Sequence, residues 1–139
     1  MSDPLHIATG VGEEKRVRLD YVKQEIWLVT TSKFEREHRA NACAKEPWTI
    51  EWLETYVTPG DVVYDVGANV GAFSLVAAKH CGAVVYAFEP GYASYARLCD
   101  NIVLNGCDAS IVALPWALSD TRGLTALRYR SLEPGQSRH

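Results

Sequence analysis

The spacing of hydrophobic and polar residues predicts an amino-terminal part built from a hairpin and a helix. The segments RVRLDY and EIWLV have alternating or wholly apolar strand character, and the short connection between them predicts a hairpin. Ser32 then stands where a helix N-cap would lie, before the segment KFEREHRANACAK. We assign residues 1–44 to an amino-terminal extension made of these elements.

A further helix is predicted from Pro47, a residue that suits the first helical turn. Trp48, Trp52 and Tyr56 follow at intervals of four residues, which places them on one face of this helix. We interpret this aromatic stripe as a packing face and not as a surface that binds a ligand.

From Asp61 onward the pattern is that of an α/β protein. The run VVYDV is apolar enough to predict a strand that is buried on both faces, and residues 72–80 predict a helix after it. AVVYAF, residues 92–105 and SIVALPWAL continue the alternation as a strand, a helix and a strand. The order β-α-β-α-β predicts parallel strands joined by right-handed crossovers, which make half of a doubly wound sheet.

Composition and charge exclude several classes of function. Hydrophobic content of 47% and a net charge of −3, with no block of Lys and Arg, fit a globular protein that does not bind nucleic acid. No apolar segment is long enough to cross a membrane and no signal-peptide pattern is present, so we expect a cytoplasmic protein without a membrane partner. The four cysteines have no zinc-like spacing, which predicts reduced thiols and no metal site.

The turn DVGANVG, residues 65–71, leads from the first strand of the α/β part into its helix. Ligands of parallel sheets bind beyond the carboxyl ends of the strands, where Gly67 lies. Gly67 tolerates a positive φ and leaves room for a ligand, and the helix after Gly71 begins with unpaired N–H groups. These features suit a carboxylate or a phosphate.

Glu89 provides a second anchor, because it ends the neighbouring strand roughly twenty residues after the glycine turn. In nucleotide-binding α/β folds, an acidic residue at this place accepts hydrogen bonds from ribose hydroxyls. The turn and the acid together indicate a ligand that contains adenosine.

Two residues of the turn discriminate between such ligands. Asn69 occupies the second glycine position of the dinucleotide fingerprint, where it would crowd a pyrophosphate, and Asp65 would repel phosphates. A carboxylate beside the turn suits an ammonium group and a cationic centre instead. S-adenosylmethionine (SAM) has an amine, a carboxylate, a sulfonium and a ribose, so the charges favour SAM over NAD.

The segments DVGANVGAFSLVAAK, VYAFEPGYASYARLCDNIVLNG and ALSD, with KEPWTIEWLE before them, resemble the FkbM family of class I SAM-dependent methyltransferases. The resemblance covers residues 45–120 and implies a Rossmann-like SAM-methyltransferase fold with a seven-stranded sheet. Three of those strands are evident here. We therefore interpret residues 45–139 as the amino-terminal half of a SAM-dependent methyltransferase domain, with its parallel sheet truncated after about the third core strand.

The resemblance also implies which residues bind the cofactor. The loop around the methionine part of SAM, and the helical turn that lines its pocket, consist of Asp65, Gly67, Ala68, Asn69, Gly71, Phe73 and Ser74. The adenosine part is held by Glu89 at the ribose and by Pro90, Ala117 and Asp120 near the adenine.

Structural roles compete with several of these assignments. Asp65 also suits a cap on the backbone of the turn, Glu89 a solvated carboxylate at a strand end, and Asp120 a residue of the turn LSDTRG. Asn101 and Asn105 are assigned to the surface and the end of their helix, and not to a site.

The resemblance implies transfer of a methyl group from SAM to a nucleophile, for which we expect a hydroxyl of a small molecule or carbohydrate. No residue is assigned as the catalytic base, and the oligomeric state is left open. Two alternatives stay open: a module that binds SAM without catalytic activity, and an NAD(P)-binding oxidoreductase, against which Asn69 and Asp65 count.

Overall fold

The computed structural model describes residues 15–128, and its framework is a three-stranded parallel sheet beside a small hairpin. The strands are β1 (Arg16–Arg18), β2 (Trp27–Val29), β3 (Val62–Val66), β4 (Val84–Phe88) and β5 (Ile111–Leu114). The helices are α1 (Lys33–Ala40), α2 (Ala42–Lys45), α3 (Pro47–Tyr56), α4 (Ala72–Lys79) and α5 (Tyr92–Leu104). The predicted β-α-β-α-β order from β3 to β5 is confirmed.

The parallel sheet has the order β3-β4-β5, so each consecutive strand lies beside the preceding one. Val62 pairs with Val84 at one end of the β3–β4 ladder and Val66 with Phe88 at the other. All three strands therefore end at the same edge of the sheet, which brings the turn after β3 next to Glu89. The α/β fold class and the parallel sheet are confirmed.

The amino-terminal part contains a hairpin, and the single helix expected after Ser32 is divided at Asn41 into α1 and α2. β1 and β2 pair antiparallel, with Val17 opposite Leu28. Ser32 is the N-cap of α1, and its hydroxyl accepts a hydrogen bond from Glu35 N at 3.1 Å. The division of the chain at residue 44 remains a prediction.

The core lies between one face of the sheet and the helices. Val85 and Ala87 of β4 are fully buried there, as are Leu75 and Val76 of α4 and Leu98 of α5. The hairpin extends this core with the buried side chains of Leu19, Tyr21, Ile26 and Leu28. Helices therefore cover a single face of the sheet in the described part of the chain.

The prediction that the first strand of the sheet is buried on both faces was wrong. Val62, Tyr64 and Val66 are 59%, 66% and 61% exposed, whereas Val63 and Asp65 on the other face are half-buried. The reason is that no element of residues 15–128 covers this side of β3. The Tyr64 ring packs edge-on against Tyr86 and Phe88 of β4, with centroid distances of 5.5 Å and 5.8 Å.

β3 is also an edge strand within the described residues, since it pairs with β4 alone. An unpaired strand edge with apolar side chains is a template for further strand pairing. Among the described residues, β3 therefore has both an open edge and an exposed face, which is formed by Val62, Tyr64 and Val66.

The interpretation of the aromatic stripe as a packing face was likewise wrong. Trp48, Trp52 and Tyr56 are each more than half exposed, and α3 instead buries Leu53 on the side that packs against α4. The spacing placed the three aromatic residues on one face correctly. Their exposure follows from the absence, among residues 15–128, of a partner on that side of the helix.

Candidate functional site

The glycine turn after β3 has an unusual backbone that two glycines make possible. Gly67, Asn69 and Gly71 have positive φ values of 79°, 54° and 87°. The amides of Gly67 and Ala68 both donate to Phe88 O, at 2.9 Å and 3.0 Å, so the turn is attached to the end of β4. Residues with a side chain reach this conformation at a cost of about 1–2 kcal/mol.

The two glycines differ in what surrounds them. A Cβ at Gly67 would meet no atom within 4 Å, which agrees with the expectation that this residue leaves room for a ligand. A Cβ at Gly71 would overlap the Leu98 side chain, which is fully buried in the core. Gly67 therefore faces open space, and Gly71 allows the start of α4 to approach α5.

Glu89 holds the turn from the side of β4. Its side chain is 2% exposed; Oε2 accepts from Asn69 N at 2.8 Å, and Oε1 accepts from Gly91 N at 2.7 Å. The alternative interpretation of Glu89 as a solvated carboxylate was wrong, because the group is buried and bonded to two backbone amides. Its assignment to ribose hydroxyls remains a prediction, for which each oxygen retains a lone pair.

Asn101 holds the same turn from the side of α5, and its assignment to the helix surface was wrong. The side chain is fully buried; Nδ2 donates to Val70 O at 2.8 Å, and Oδ1 accepts from Val29 N at 2.7 Å. Asn105 acts similarly one turn later, because its amide bonds both Trp27 N and Trp27 O, at 2.9 Å and 2.7 Å.

A signal for these asparagines was present in the sequence. Asn101 and Asn105 lie three and seven residues after Leu98, on the stripe that also contains Ile102. Polar residues on the apolar face of a helix are buried and therefore need hydrogen-bond partners. The spacing alone could have predicted burial of Asn101, although not which backbone groups it would bind.

Asp65 links the end of β3 to the first turn of α4. Its Oδ2 accepts a hydrogen bond from the buried Ser74 hydroxyl at 2.5 Å. Burial raises the pKa of Asp65, the hydrogen bonds from Ser74 oppose that shift, and the carboxylates of Glu89 and Glu46 add to it. The same side chain lines a cavity, so the structural and the ligand-binding interpretation of Asp65 are compatible.

That cavity, of about 440 Å³, lies beyond the carboxyl end of β3. The predicted residues that line it are Asp65, Gly67, Ala68, Asn69 and Phe73. Gly71 and Ser74 lie behind this lining as buried residues. The structure thus brings the residues assigned to the methionine part of SAM together around one cavity.

The opposite wall of the cavity was missed by the sequence interpretation. It comes from α1, α2 and the start of α3, and consists of Glu35, His38, Arg39, Ala42, Lys45, Glu46 and Thr49. No local signal relates these residues to the glycine turn, because they precede Asp65 by 16 to 30 residues. Only the tertiary structure, which brings α1, α2 and the glycine turn around one cavity, places them there.

Charges on this wall are partly buried. Glu35 accepts from Thr31 N at 2.6 Å and from Arg97 Nε at 3.1 Å, and its side chain is almost fully buried. Burial lowers the pKa of Arg39, Glu35 opposes the shift, and the guanidinium of Arg97 adds to it. The buried Glu35 carboxylate therefore pairs directly with Arg97 and also acts electrostatically on Arg39.

A second cavity, of about 540 Å³, lies beyond the end of β5. Pro90 and Ala117 line it together with residues of the segment 115–127, and their assignment to the adenine edge remains a prediction. Asp120 is exposed, does not belong to the lining and accepts a hydrogen bond from Ser119 Oγ at 3.2 Å. That contact is the one expected of a residue in the turn LSDTRG.

Among residues 15–128, no three His, Cys, Asp or Glu side chains are close enough to hold a metal ion. No helix in this part of the chain has both the length and the apolar character needed to span a membrane. All four cysteines are free thiols, and Cys43, Cys81 and Cys107 are buried.

Comparisons with known proteins agree with this geometry. A family model described as the TRM5/TYW2 methyltransferase domain matches residues 44–128. The chain is also 54% identical over 46 residues to the 31-O-demethyl-FK506 methyltransferase FkbM of Streptomyces tacrolimicus. That match covers 32% of this chain and 18% of the relative, and it confirms the resemblance to FkbM.

Two solved structures share the fold. A SAM-dependent methyltransferase from Agrobacterium tumefaciens matches with a TM-score of 0.52 at 22% identity, over 76% of this chain and 33% of that protein. A putative transferase from Pyrococcus horikoshii matches with a TM-score of 0.55 at 20% identity, over 76% of this chain and 38% of that protein. The chain thus spans less than two-fifths of the relatives that it matches, and the predicted Rossmann-like methyltransferase fold is confirmed.

We predict that Glu89→Gln destabilises the fold although it preserves the shape of the side chain. Both carboxylate oxygens accept from backbone amides, so the new NH₂ group must face one N–H donor. A buried donor left without an acceptor lowers the free energy of unfolding by about 1–3 kcal/mol. Urea unfolding measures this loss. The control Glu51→Gln, on the exposed side of α3, should have a free energy of unfolding within about 0.5 kcal/mol of the parent. Equal losses in both variants would refute the role of Glu89 in holding the turn.

We further predict that Asp65→Asn stabilises the unliganded fold at neutral pH. The pKa of Asp65 is raised in the folded state above its ordinary value of 3.8, so the folded chain loses stability as pH rises through the raised pKa. Asparagine does not ionise and still accepts from Ser74. Its advantage should therefore be largest at pH 7 and vanish as pH falls below 3.8.

Urea unfolding across this pH range tests the second prediction. The matched substitution Asp108→Asn, at an exposed position before β5, should give no comparable gain at neutral pH. A less stable Asp65→Asn variant at pH 7 would show that the ionised carboxylate supports the fold.

Proposed function

The chain belongs to the TRM5/TYW2 family of methyltransferase domains, and from this we propose that it binds SAM at the glycine turn and serves methyl transfer to a hydroxyl. The observation that carries the proposal is the cavity beyond β3, which is lined by a carboxylate and by a glycine with open space beside it. Asp65 lines it beside Gly67, at which a Cβ would meet only open space.

The residues of the cavity fit the cofactor by charge and by shape. Asp65 offers a partly buried carboxylate to an ammonium group, and Gly67 gives a ligand close access to the backbone. Phe73 adds apolar surface at the start of α4. Pro90 and Ala117, in the second cavity, offer the apolar surroundings that an adenine ring requires.

When bound, SAM supplies an electrophilic methyl group, whose bond to sulfur breaks as the bond to the acceptor oxygen forms. The chain's own contribution is to hold the donor in one orientation, because alignment at near-attack distance supplies much of the rate. The acceptor hydroxyl must lose its proton to a base. No residue of this chain is assigned to that task.

A small-molecule or carbohydrate hydroxyl is the acceptor that we propose. The name of the Streptomyces relative describes methylation at an oxygen of an FK506 derivative, and this supports an oxygen acceptor here as well. The four free cysteines fit a reducing compartment, and we accordingly propose a cytoplasmic location.

We also propose that this chain is the cofactor-binding half of a longer methyltransferase. It spans 18% of the FkbM relative and 33% of the Agrobacterium structure. The exposed apolar face of β3 supports the idea, because parallel sheets are normally covered on both faces. The second candidate function is a SAM-binding module without catalytic activity, which the short span of this chain relative to the same two proteins favours.

Sequencing of the locus beyond the codon for His139 tests the proposal that this chain is half of a longer methyltransferase. We expect an open frame that continues into further strands of the sheet. A stop codon directly after His139, combined with a folded monomeric chain in solution, would refute it.

Calorimetric titration of the purified chain with S-adenosylhomocysteine and with NAD tests the cofactor assignment, once circular dichroism has established folding. We expect micromolar binding of the first ligand and none of NAD. Asp65→Asn should weaken binding by about tenfold to a hundredfold, the magnitude of a lost hydrogen bond to a charged group. Asp108→Asn is the control and should bind as the parent does.

Binding of NAD in place of S-adenosylhomocysteine would support the oxidoreductase alternative. The fold argues against that outcome, because Asn69 occupies the second glycine position with a positive φ of 54°, and its backbone N–H donates to Glu89 Oε2. If S-adenosylhomocysteine bound tightly and Asp65→Asn left its affinity unchanged, the binding site would lie away from the glycine turn.

A further inference from the structure

We infer that the exposed aromatic face of α3 binds an organic ammonium group. Three aromatic rings and one carboxylate surround a cavity of about 260 Å³ on this face. Its lining consists of Trp48, Glu51, Trp52, Thr55 and Tyr56. The site lies outside the glycine turn and does not depend on SAM, so the inference goes beyond the proposed function.

The spacing of the lining residues makes this face of α3 continuous. Trp48, Trp52 and Tyr56 repeat every four residues. Glu51 and Thr55 lie three and seven residues after Trp48. Residues at these intervals share one side of a helix. The rings and the carboxylate are therefore presented to the same ligand.

The aromatic rings are open to solvent, and two of them are inclined to each other. Trp48, Trp52 and Tyr56 are 65%, 51% and 68% exposed. The ring centroids of Trp52 and Tyr56 lie 6.3 Å apart, with an angle of 43° between the ring planes. A cation is attracted to the negative face of an aromatic ring within about 6 Å of its centroid. A cation placed between these two rings satisfies that limit for both.

Glu51 adds a negative charge that has no counter-ion in the described part of the chain. It is exposed, and α3 contains no Lys, Arg or His. The ion pairs among residues 15–128 do not include Glu51. Glu54 on the same helix differs, because its carboxylate accepts from Lys23 Nζ at 2.6 Å and from the Tyr21 hydroxyl at 2.8 Å.

The ring faces and the carboxylate have the same electrostatic sign, and this sign selects the ligand. Both attract a cation and both repel an anion. A neutral sugar ring could stack on Trp52, but it would leave the charge of Glu51 uncompensated. An alkylated ammonium group uses both features, since its charge meets the carboxylate while its carbon atoms contact the rings.

The size of the cavity suits a small head group. Sites for drug-sized ligands have volumes of roughly 300–1,000 Å³, and this cavity is smaller. A cation–π contact already occurs elsewhere in the fold, where Arg16 Cζ lies 4.9 Å from the centroid of the Trp27 ring. Because the α3 face is exposed and water screens its charge, we expect a dissociation constant in the millimolar range.

Choline and 3,3-dimethylbutan-1-ol test the inference, because a carbon atom in the alcohol replaces the charged nitrogen of choline while the shape is kept. Each compound is titrated into the isotope-labelled chain after circular dichroism has established folding. The readout is the shift of the indole N–H resonances of Trp48 and Trp52 in the NMR spectrum. We expect choline to bind about tenfold more tightly than the alcohol, as attraction of the charge by several groups implies.

Two variants separate the contributions of the carboxylate and the rings. Glu51→Gln and Trp52→Leu should each weaken choline binding by about threefold to tenfold. Neither should weaken binding of the alcohol to the same extent, since Gln keeps the shape of Glu and Leu keeps an apolar surface. Asp108→Asn removes an exposed carboxylate elsewhere and should bind choline as the parent does. All three positions are exposed, so we expect the variants to fold.

Equal affinities for choline and the alcohol would overturn the inference and identify a purely apolar surface. The inference would also fail if the two indole resonances changed with protein concentration and not with choline, because this would indicate contact between two copies of the chain. Choline affinity that is unchanged in both Glu51→Gln and Trp52→Leu would place the cation elsewhere. Failure of S-adenosylhomocysteine to bind would overturn the proposed function alone, because choline binding is measured without it.

Discussion

The glycine turn is held in place by two buried polar side chains, and the rest of the candidate site depends on this arrangement. Glu89 accepts from Asn69 N on one side of the turn, while Asn101 donates to Val70 O on the other. A loop with several positive φ values has few hydrogen bonds of its own. These two contacts replace them, because buried backbone groups need partners and the low local dielectric makes an unmade bond costly.

The same contacts connect the turn to the amino-terminal part of the fold. Asn101 also accepts from Val29 N, so one side chain fixes the glycine turn, α5 and the hairpin relative to one another. The chain leaves β2 and enters α1 directly through the N-cap Ser32. The position of Arg39 across the cavity therefore follows from the packing of the hairpin against α5.

The sheet is organised very differently on its two faces. One face forms the core with α4 and α5, and the other exposes Val62, Tyr64 and Val66. The ring of Tyr64 lies against Tyr86 and Phe88 and shields part of this apolar surface from water. An exposed apolar face is typical of a parallel sheet whose second face is normally covered by helices. It agrees with the short span of this chain relative to the proteins that it matches.

The sequence by itself determined the order of the elements, the parallel sheet and the glycine turn, because these depend on residues close to one another in the chain. Periodicity gave the strands and helices, and Gly67 marked one of the positive φ positions of the turn. Tertiary structure alone decided which faces are covered. The apolar run VVYDV predicts a fully buried strand, and the aromatic stripe beginning at Trp48 predicts a packing face. Both are exposed, because burial depends on whether an element remote in sequence lies against them. The far wall of the cavity could not be predicted either, since its residues and the turn line one cavity only because segments distant in sequence pack together.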